Sequence, residues 1–329
     1  MSGAPALVLI DLQKAIDDPS WGARNNPQAE KRIVRLLTVW RQTRWPLFHI
    51  RHDSRQPNST YRPGQPLHAF KPETAPREGE LVLAKQTCSA FASTDLAERL
   101  RAAGAPVVFV CGVITNNSVE ATVRAGSDLG FRMFLVEDAC FTFGKGRWTA
   151  QDVHEMSLAN LEGEYATITN SARLVTTYLE HIFTEPRMAG CLRSAAAAKF
   201  GNAGEAAVLA ALLGDLPRHF PGVKLRTLGF SEQVATLVDL RDATLRYLAA
   251  RPTSRQTLTA DELRLVEQLG GPMDEFEAEV FGDSTLSFSL LRLRYFEEQA
   301  SKMHAPYPDF STYRDLVEAH LSGTPSQQR

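Results

Sequence analysis

The first half of this 329-residue chain predicts an α/β fold and the second half an all-α fold. Three observations carry that reading. Short continuous apolar runs alternate with helical periods up to about residue 184, and strands buried on both faces specify a parallel sheet covered by helices. After Pro186 the strand-like runs stop and amphipathic helical spacing takes over. The length suits two domains rather than one. The expected organisation is an α/β domain over 1–185 and a helical domain over 186–329.

Along the first half, ALVLID (6–11) reads as a buried strand. Ile33, Leu36, Leu37 and Trp40 keep helical spacing between Pro27 and Thr43, and PLFHIR (46–51) is a second strand. LVLA (81–84) is a third, followed by a helix from Thr94, its cap, to Ala103, with Gly104 as the stop. PVVFVC (106–111), FRMFLVED (131–138) and EYATIT (164–169) complete the set, each preceded by a helix. Two stretches break the alternation. Residues 52–80 hold five prolines and two glycines, and a loop of that length inside a domain is usually functional. FTFGKGRWT (141–149) is a second surface loop, beyond a strand's carboxyl end.

In the second half, AAAAKF, AAVLAALLGDL, EQVATLVDLRDATLRYLAA, ADELRLVEQL, LSFSLLRLRYFEEQ and YRDLVEAHL read as amphipathic helices. RPTSRQTL (251–258) reads as a hinge between two helical halves, and 322–329 as a frayed polar tail.

An apolar fraction of 43% and a charged fraction of 22% exclude bulk disorder. A net charge of −2 supplies no global basic field, so no nucleic-acid partner is expected. The N-terminus has no basic n-region and no window approaches 18 uncharged apolar residues, so neither a signal peptide nor a membrane span is expected. Cys88, Cys111, Cys140 and Cys191 form no CxxC pair and read as reduced small hydrophobes. The expected compartment is the cytoplasm.

In open α/β sheets, function collects at the carboxyl ends of the strands. Asp11 ends the first strand there, and Lys85 directly follows LVLA. After VVFVC comes CGVITNNSVEAT, a glycine turn entering a helix near Asn117, which puts Ser118 where free N–H groups and the dipole favour an anion. Singly, each has an ordinary structural explanation: a cap, a solvated ion-pair partner, a helix-start serine. Together they converge on one edge of the sheet.

With these residues on view, residues 5–183 resemble the isochorismatase-like cysteine hydrolases. The resemblance rests on LVLIDLQKAI, RPGQPLHAFKPE, LAKQTCSAF, CGVITNNSVEATVRAGSDLGF and SLANLEGEYATI. It implies a parallel six-stranded sheet in a three-layer α/β/α sandwich, assembled as a homo-oligomer. It also implies a catalytic Asp–Lys–Cys triad, in which Asp11 matches the general acid/base and Lys85 the cation supporting the thiolate. The nucleophile position is Ser118 in TNNSV, a departure from the family's cysteine. A serine hydroxyl ionises roughly five pKa units above a thiol, about 7 kcal/mol. Three outcomes stay open: a serine nucleophile, a water-based mechanism with Asp11 as acid, or a pocket without hydrolysis.

The resemblance further implies an oxyanion hole beside a non-proline cis peptide at Val113–Ile114, with N–H groups of Ile114 and Ser118. Relatives that bind a metal do so through an Asp-x-His pair and a further His. His52, Asp53 and His68 lack that spacing, so no metal is expected. His52, Phe70 and Trp148 are candidate walls of a small-molecule pocket.

In the helical half, FGDSTLSFSLLRLRYFEEQ (281–299) weakly resembles the modified-serine segment of an acyl or peptidyl carrier domain, extending over 256–322. That would place 4′-phosphopantetheine on Ser284 and imply assembly-line partner enzymes, with Leu286, Leu290, Leu293 and Phe296 facing the core. The alternative is that Asp283–Ser284 caps a helix of an unrelated bundle. The expected function is hydrolysis of a small amide or related C–N bond in specialised metabolism, needing no cofactor in the hydrolase domain. An inactive scaffold, or a carrier fusion presenting a tethered acyl group, are the competing expectations.

Overall fold

Six parallel strands form the sheet of the first unit: β1 (Ala6–Ile10), β2 (Leu47–His52), β3 (Leu81–Lys85), β4 (Val107–Val113), β5 (Arg132–Phe141) and β6 (Thr167–Thr169). Their order is β3-β2-β1-β4-β5-β6, and every neighbouring pair is parallel. Every residue of β1 is buried, as its continuous apolar run requires. The connecting helices are α1 (Ala29–Thr43), α2 (Leu96–Ala102), α3 (Glu120–Asp128), α4 (Ala150–Leu161) and α5 (Ser171–Phe183). From β1 the chain winds outward to β3, then returns to lay β4 on the other side of β1. Right-handed crossovers run in opposite directions therefore place helices on opposite faces, and a switch point opens between β1 and β4.

The computed structural model describes residues 3–220, 223–302 and 306–323 and divides into two compact units, Met1–Val175 and Thr176–Arg329. This division falls inside α5, about ten residues before the boundary expected from Pro186. The second half of that helix already belongs to the helical unit, where Phe183 stacks on Phe310 at 4.9 Å and Glu180 pairs with Arg314. A proline marks where a helix ends, whereas packing decides which core the helix serves.

The described residues of the second unit contain helices and no strand. Three expectations change. EQVATLVDLRDATLRYLAA breaks into Glu232–Asp239 and Arg241–Ala249, because Leu240 adopts φ −90°, ψ 1°. Residues 251–258 are no hinge: Pro252–Arg255 forms a helical turn, and Leu258 is buried with Leu245, Ala249 and Val266. The last helix, Arg314–Ser322, includes Ser322 and ends on Gly323 at φ 73°, while 324–329 lie outside the described residues. No helix among the described residues is long and apolar enough to cross a membrane.

The sheet's most demanding backbone contact is at Gly112, opposite Ile10 on β1. Its φ is +118°, and a Cβ there would sit 2.3 Å from the Ile10 carbonyl oxygen. Only glycine fits both conditions. We expect Gly112→Ala to cost this unit about 3 kcal/mol, from backbone strain plus the steric clash. All four tryptophans lie in the first unit, so urea unfolding followed by tryptophan fluorescence reads it alone. An unchanged midpoint would refute the close-approach argument.

Candidate functional site

The switch point between β1 and β4 is where the candidate site forms. Asp11 is the first residue past β1; its backbone takes φ 53° and its N–H donates to the Ile50 carbonyl at 3.0 Å. Lys85, the last residue of β3, reaches across so that Nζ lies 2.7 Å from Asp11 Oδ2. The same Nζ donates to Ser118 Oγ at 3.1 Å and to the Thr87 carbonyl at 3.1 Å. Lys85 is wholly buried, and Asp11 and Ser118 are 4% and 8% exposed. Three residues spread over more than a hundred positions thus meet at one ammonium.

Ser118 does not open a regular α-helix as its sequence context implied. It lies in a wide π-type turn, Thr115–Val119, and α3 begins at Glu120. The Ile114 carbonyl accepts from the N–H groups of both Asn117 (3.0 Å) and Val119 (3.3 Å), which opens the turn. Just upstream, the Val113–Ile114 peptide bond is cis.

Burial pushes the Asp11 carboxyl up to about 6, opposed by the charge and hydrogen bond of Lys85. Asp11 Oδ1 is buried without a hydrogen-bond partner among the described residues. His52, at the end of β2, has Nδ1 3.4 Å from Lys85 Nζ. Burial and the neighbouring ammonium press the imidazole down to about 4, so it is neutral at pH 7.

Residues that the sequence reading passed over hold the 52–80 loop on the site. Gln13 donates from Nε2 to the carbonyls of His52 (3.2 Å) and His68 (2.8 Å), and its Oε1 accepts from the His52 N–H at 2.7 Å. Tyr61 donates its hydroxyl to the Asp11 carbonyl at 3.3 Å and sets its ring edge-on to His52. Trp21 meets Tyr61 edge-on and stacks on Phe143 at 5.5 Å, which extends an aromatic wall. A polar residue two positions past a buried strand was the one available signal for Gln13.

The other candidates stand apart from this cluster. Phe70 bridges to Gln13 through its backbone, and its ring meets buried His49 edge-on at 6.1 Å. Trp148, half-exposed, lines a cleft of about 600 Å³ with Asn116, Val153 and Met156, and that lining excludes Asp11, Lys85 and Ser118. Asp53 is spent on Arg51 (2.9 Å) and His68 (2.8 Å), and no metal-holding group occurs among the described residues.

Ser284 caps the end of the helix Glu275–Asp283, half-buried, and its Oγ accepts from the Leu286 N–H at 3.2 Å. The next helix, Ser287–Lys302, buries Leu290, Leu293 and Phe296, but Leu286 is only half-buried. A helix therefore runs straight into Ser284, with its hydroxyl already engaged. We expect no mass increase at Ser284 after incubation with coenzyme A and a phosphopantetheinyl transferase; a gain abolished by Ser284→Ala would reverse that assignment.

The Asp11–Lys85 pair generates a second expectation. Lys85→Met strands a buried carboxylate, which costs about 3–5 kcal/mol when one partner of a buried pair is removed. Lys85 is what holds the Asp11 carboxyl down at about 6 against burial, so without it the folded carboxyl takes up its proton at a higher pH and the two proteins diverge as pH rises above about 6. The penalty should be larger at pH 8 than at pH 5, read by urea titration at both. Equal penalties would mean that Asp11 is not the group left unpaired.

Comparison with known proteins identifies the fold's relatives. The isochorismatase domain model matches residues 5–173. An uncharacterised isochorismatase-family protein of Bacillus subtilis is 34% identical over 185 residues, 55% of this chain and 99% of that protein. Nicotinamidase 3 of Arabidopsis thaliana is 27% identical over 182 residues, 51% of this chain and 86% of that one. A crystal structure from Chromobacterium violaceum, described as a hydrolase of the isochorismatase family, is 59% identical, with a TM-score of 0.50, covering 51% of this chain and 90% of its own. The family model's match from residue 5 to residue 173, over half of the chain, makes it a member of the isochorismatase family.

Proposed function

We propose that this protein is a hydrolase of a small amide or related C–N bond, with Ser118 as nucleophile, Asp11 as general base and acid, and Lys85 as the organising cation. The observation that carries it is the single ammonium holding Asp11 and Ser118 within 2.7 and 3.1 Å. The Arabidopsis relative's name, a nicotinamidase, supports the amide class.

In this reading Ser118 Oγ attacks the carbonyl carbon while its proton passes to Asp11, whose raised affinity makes it a better base than an exposed aspartate. Negative charge on the carbonyl oxygen faces the N–H groups of Ile114 and Ser118. Collapse breaks the C–N bond as Asp11 returns the proton to the leaving amine. Water, deprotonated by Asp11, then attacks the acyl carbon; the C–Oγ bond breaks, Asp11 returns that proton to Ser118 Oγ, and the acid is released. Lys85 Nζ, within hydrogen-bond reach of Asp11, the Thr87 carbonyl and Ser118, keeps base and nucleophile in register through both halves of the reaction.

Serine carries a cost here. Ionising an alcohol in place of a thiol is harder by about 7 kcal/mol, which concerted base catalysis offsets only in part. Ser118→Cys should therefore hydrolyse small amides faster than the wild type, and Ser118→Ala should lose activity. Hydrolysis should rise with pH through about 6, as Asp11 ionises. The companion measurement is iodoacetamide labelling of Ser118→Cys in a Cys88→Ala background, since Cys88 is the exposed native thiol. An introduced thiol that alkylates like an ordinary buried one would favour a scaffold, and full activity in Ser118→Ala would move the nucleophile to water.

A further inference from the structure

The turn that carries Ser118 is held from outside by α4. A capping box of Thr149 and Asp152 starts this helix, and it buries His154 and Ser157, three residues apart and so on one face. His154 Nδ1 lies 2.9 Å from Thr115 Oγ1. Ser157 Oγ donates to Glu120 Oε2 at 2.6 Å and lies 3.4 Å from the Thr115 carbonyl. His154, Ser157 and Thr115 are 3%, 2% and 0% exposed. Thr115 and Glu120 are the residues at which the π-type turn begins and α3 takes over.

Packing alone would be served by apolar side chains on this face. Burying a histidine and a serine costs free energy unless their polar atoms find partners, and both find theirs at the two ends of this five-residue turn. From the opposite side, Thr122 Oγ1 donates to the Ser118 carbonyl at 2.7 Å and accepts from the Ala90 N–H at 3.0 Å. The turn has no freedom to relax into an ordinary α-helical start while these contacts hold.

We infer that His154 and Ser157 are positioning residues that fix the 115–119 turn, so that Ser118 meets Lys85 and Asp11. The catalytic consequence rests on the hydrolase reading above, but the positioning itself can be measured without a substrate. The probe is iodoacetamide acting on the Ser118→Cys, Cys88→Ala protein, with its alkylation rate and the pH midpoint of that rate. His154→Ala should change the rate by about tenfold or more and move the midpoint, since small misplacements at such sites have large effects. His154→Asn, which keeps a hydrogen-bonding atom near Nδ1, should recover most of the parent behaviour. Thr115→Val should reproduce the His154→Ala effect, Thr115→Ser should not, and the double variant should be no worse than either single one.

A folded His154→Ala protein with unchanged rate and midpoint would overturn the inference. If His154→Ala fails to fold by tryptophan fluorescence, the near-isosteric Thr115→Val and Thr115→Ser pair decides, and equal rates in the two would overturn it. These outcomes compare variants with their parent, so they stand apart from the hydrolase reading, which fails on the parent thiol's own reactivity.

Discussion

The Lys85–Asp11 ion pair is the constraint around which the first unit is arranged. An ammonium with no solvent exposure is costly, and the loss is recovered only with close geometry and complete hydrogen bonding. Three acceptors meet that demand, and they come from the end of β1, the segment after β3 and the turn after β4. The strand order makes this possible: β1 and β4 are adjacent at the centre, with β3 two strands from β1. Loss of register in any of these strands would leave a buried charge without its partner.

The same logic explains how a proline-rich segment of nearly thirty residues stays ordered with only two single 3-10 turns, Pro66–His68 and Pro72–Thr74. Lys71, nearly buried, pairs with Asp17 at 2.6 Å and Glu30 at 2.9 Å, and its N–H donates to the Leu12 carbonyl. Glu80, at the far end of the loop, joins Arg41 on α1 to buried His49. Arg24 and Lys71 hold the Glu30 carboxyl, and Arg41 the Glu80 carboxyl, down at about 2, so these attachments are ionic at neutral pH; burial holds the His49 imidazole below its usual range, so it meets Glu80 as a hydrogen-bond partner. Between them, Gln13 and Tyr61 bind the loop to the backbone at the end of β1. The loop behaves as a fixed wall of the site, tied at several buried points.

The second unit has a different organising feature. Arg241, largely buried, pairs with Asp215 at 2.5 Å and with Glu297. Asp215 thereby stays below the usual carboxylate range, while burial raises Glu297 against the pull of the same arginine. Such a network specifies which helices meet more than it adds stability. The family match ends at residue 173, just before this unit begins at Thr176.

Much of the first unit was legible in the sequence because its signals are local. Continuous apolar runs gave the strands, and the alternation with helices gave the parallel sheet, to within a few residues at each end. Asp11, Lys85 and Ser118 could be chosen because chain position alone puts a residue at a strand's carboxyl end. What the sequence could not carry was anything set by contacts between distant segments. The π-type turn depends on one carbonyl accepting two N–H groups, and the roles of Gln13, Tyr61 and His154 depend on partners 39 to 55 residues away. Trp148 and Phe70 sit on the expected loops, yet their rings turn to other surfaces, because a loop's position does not fix its side-chain directions. In the helical half, periodicity located the apolar stripes but could not tell a hinge from a buried turn, or show that a helix runs into Ser284. Local pattern determines which elements form, while the burial of polar and charged groups, decided only in three dimensions, determines where they meet.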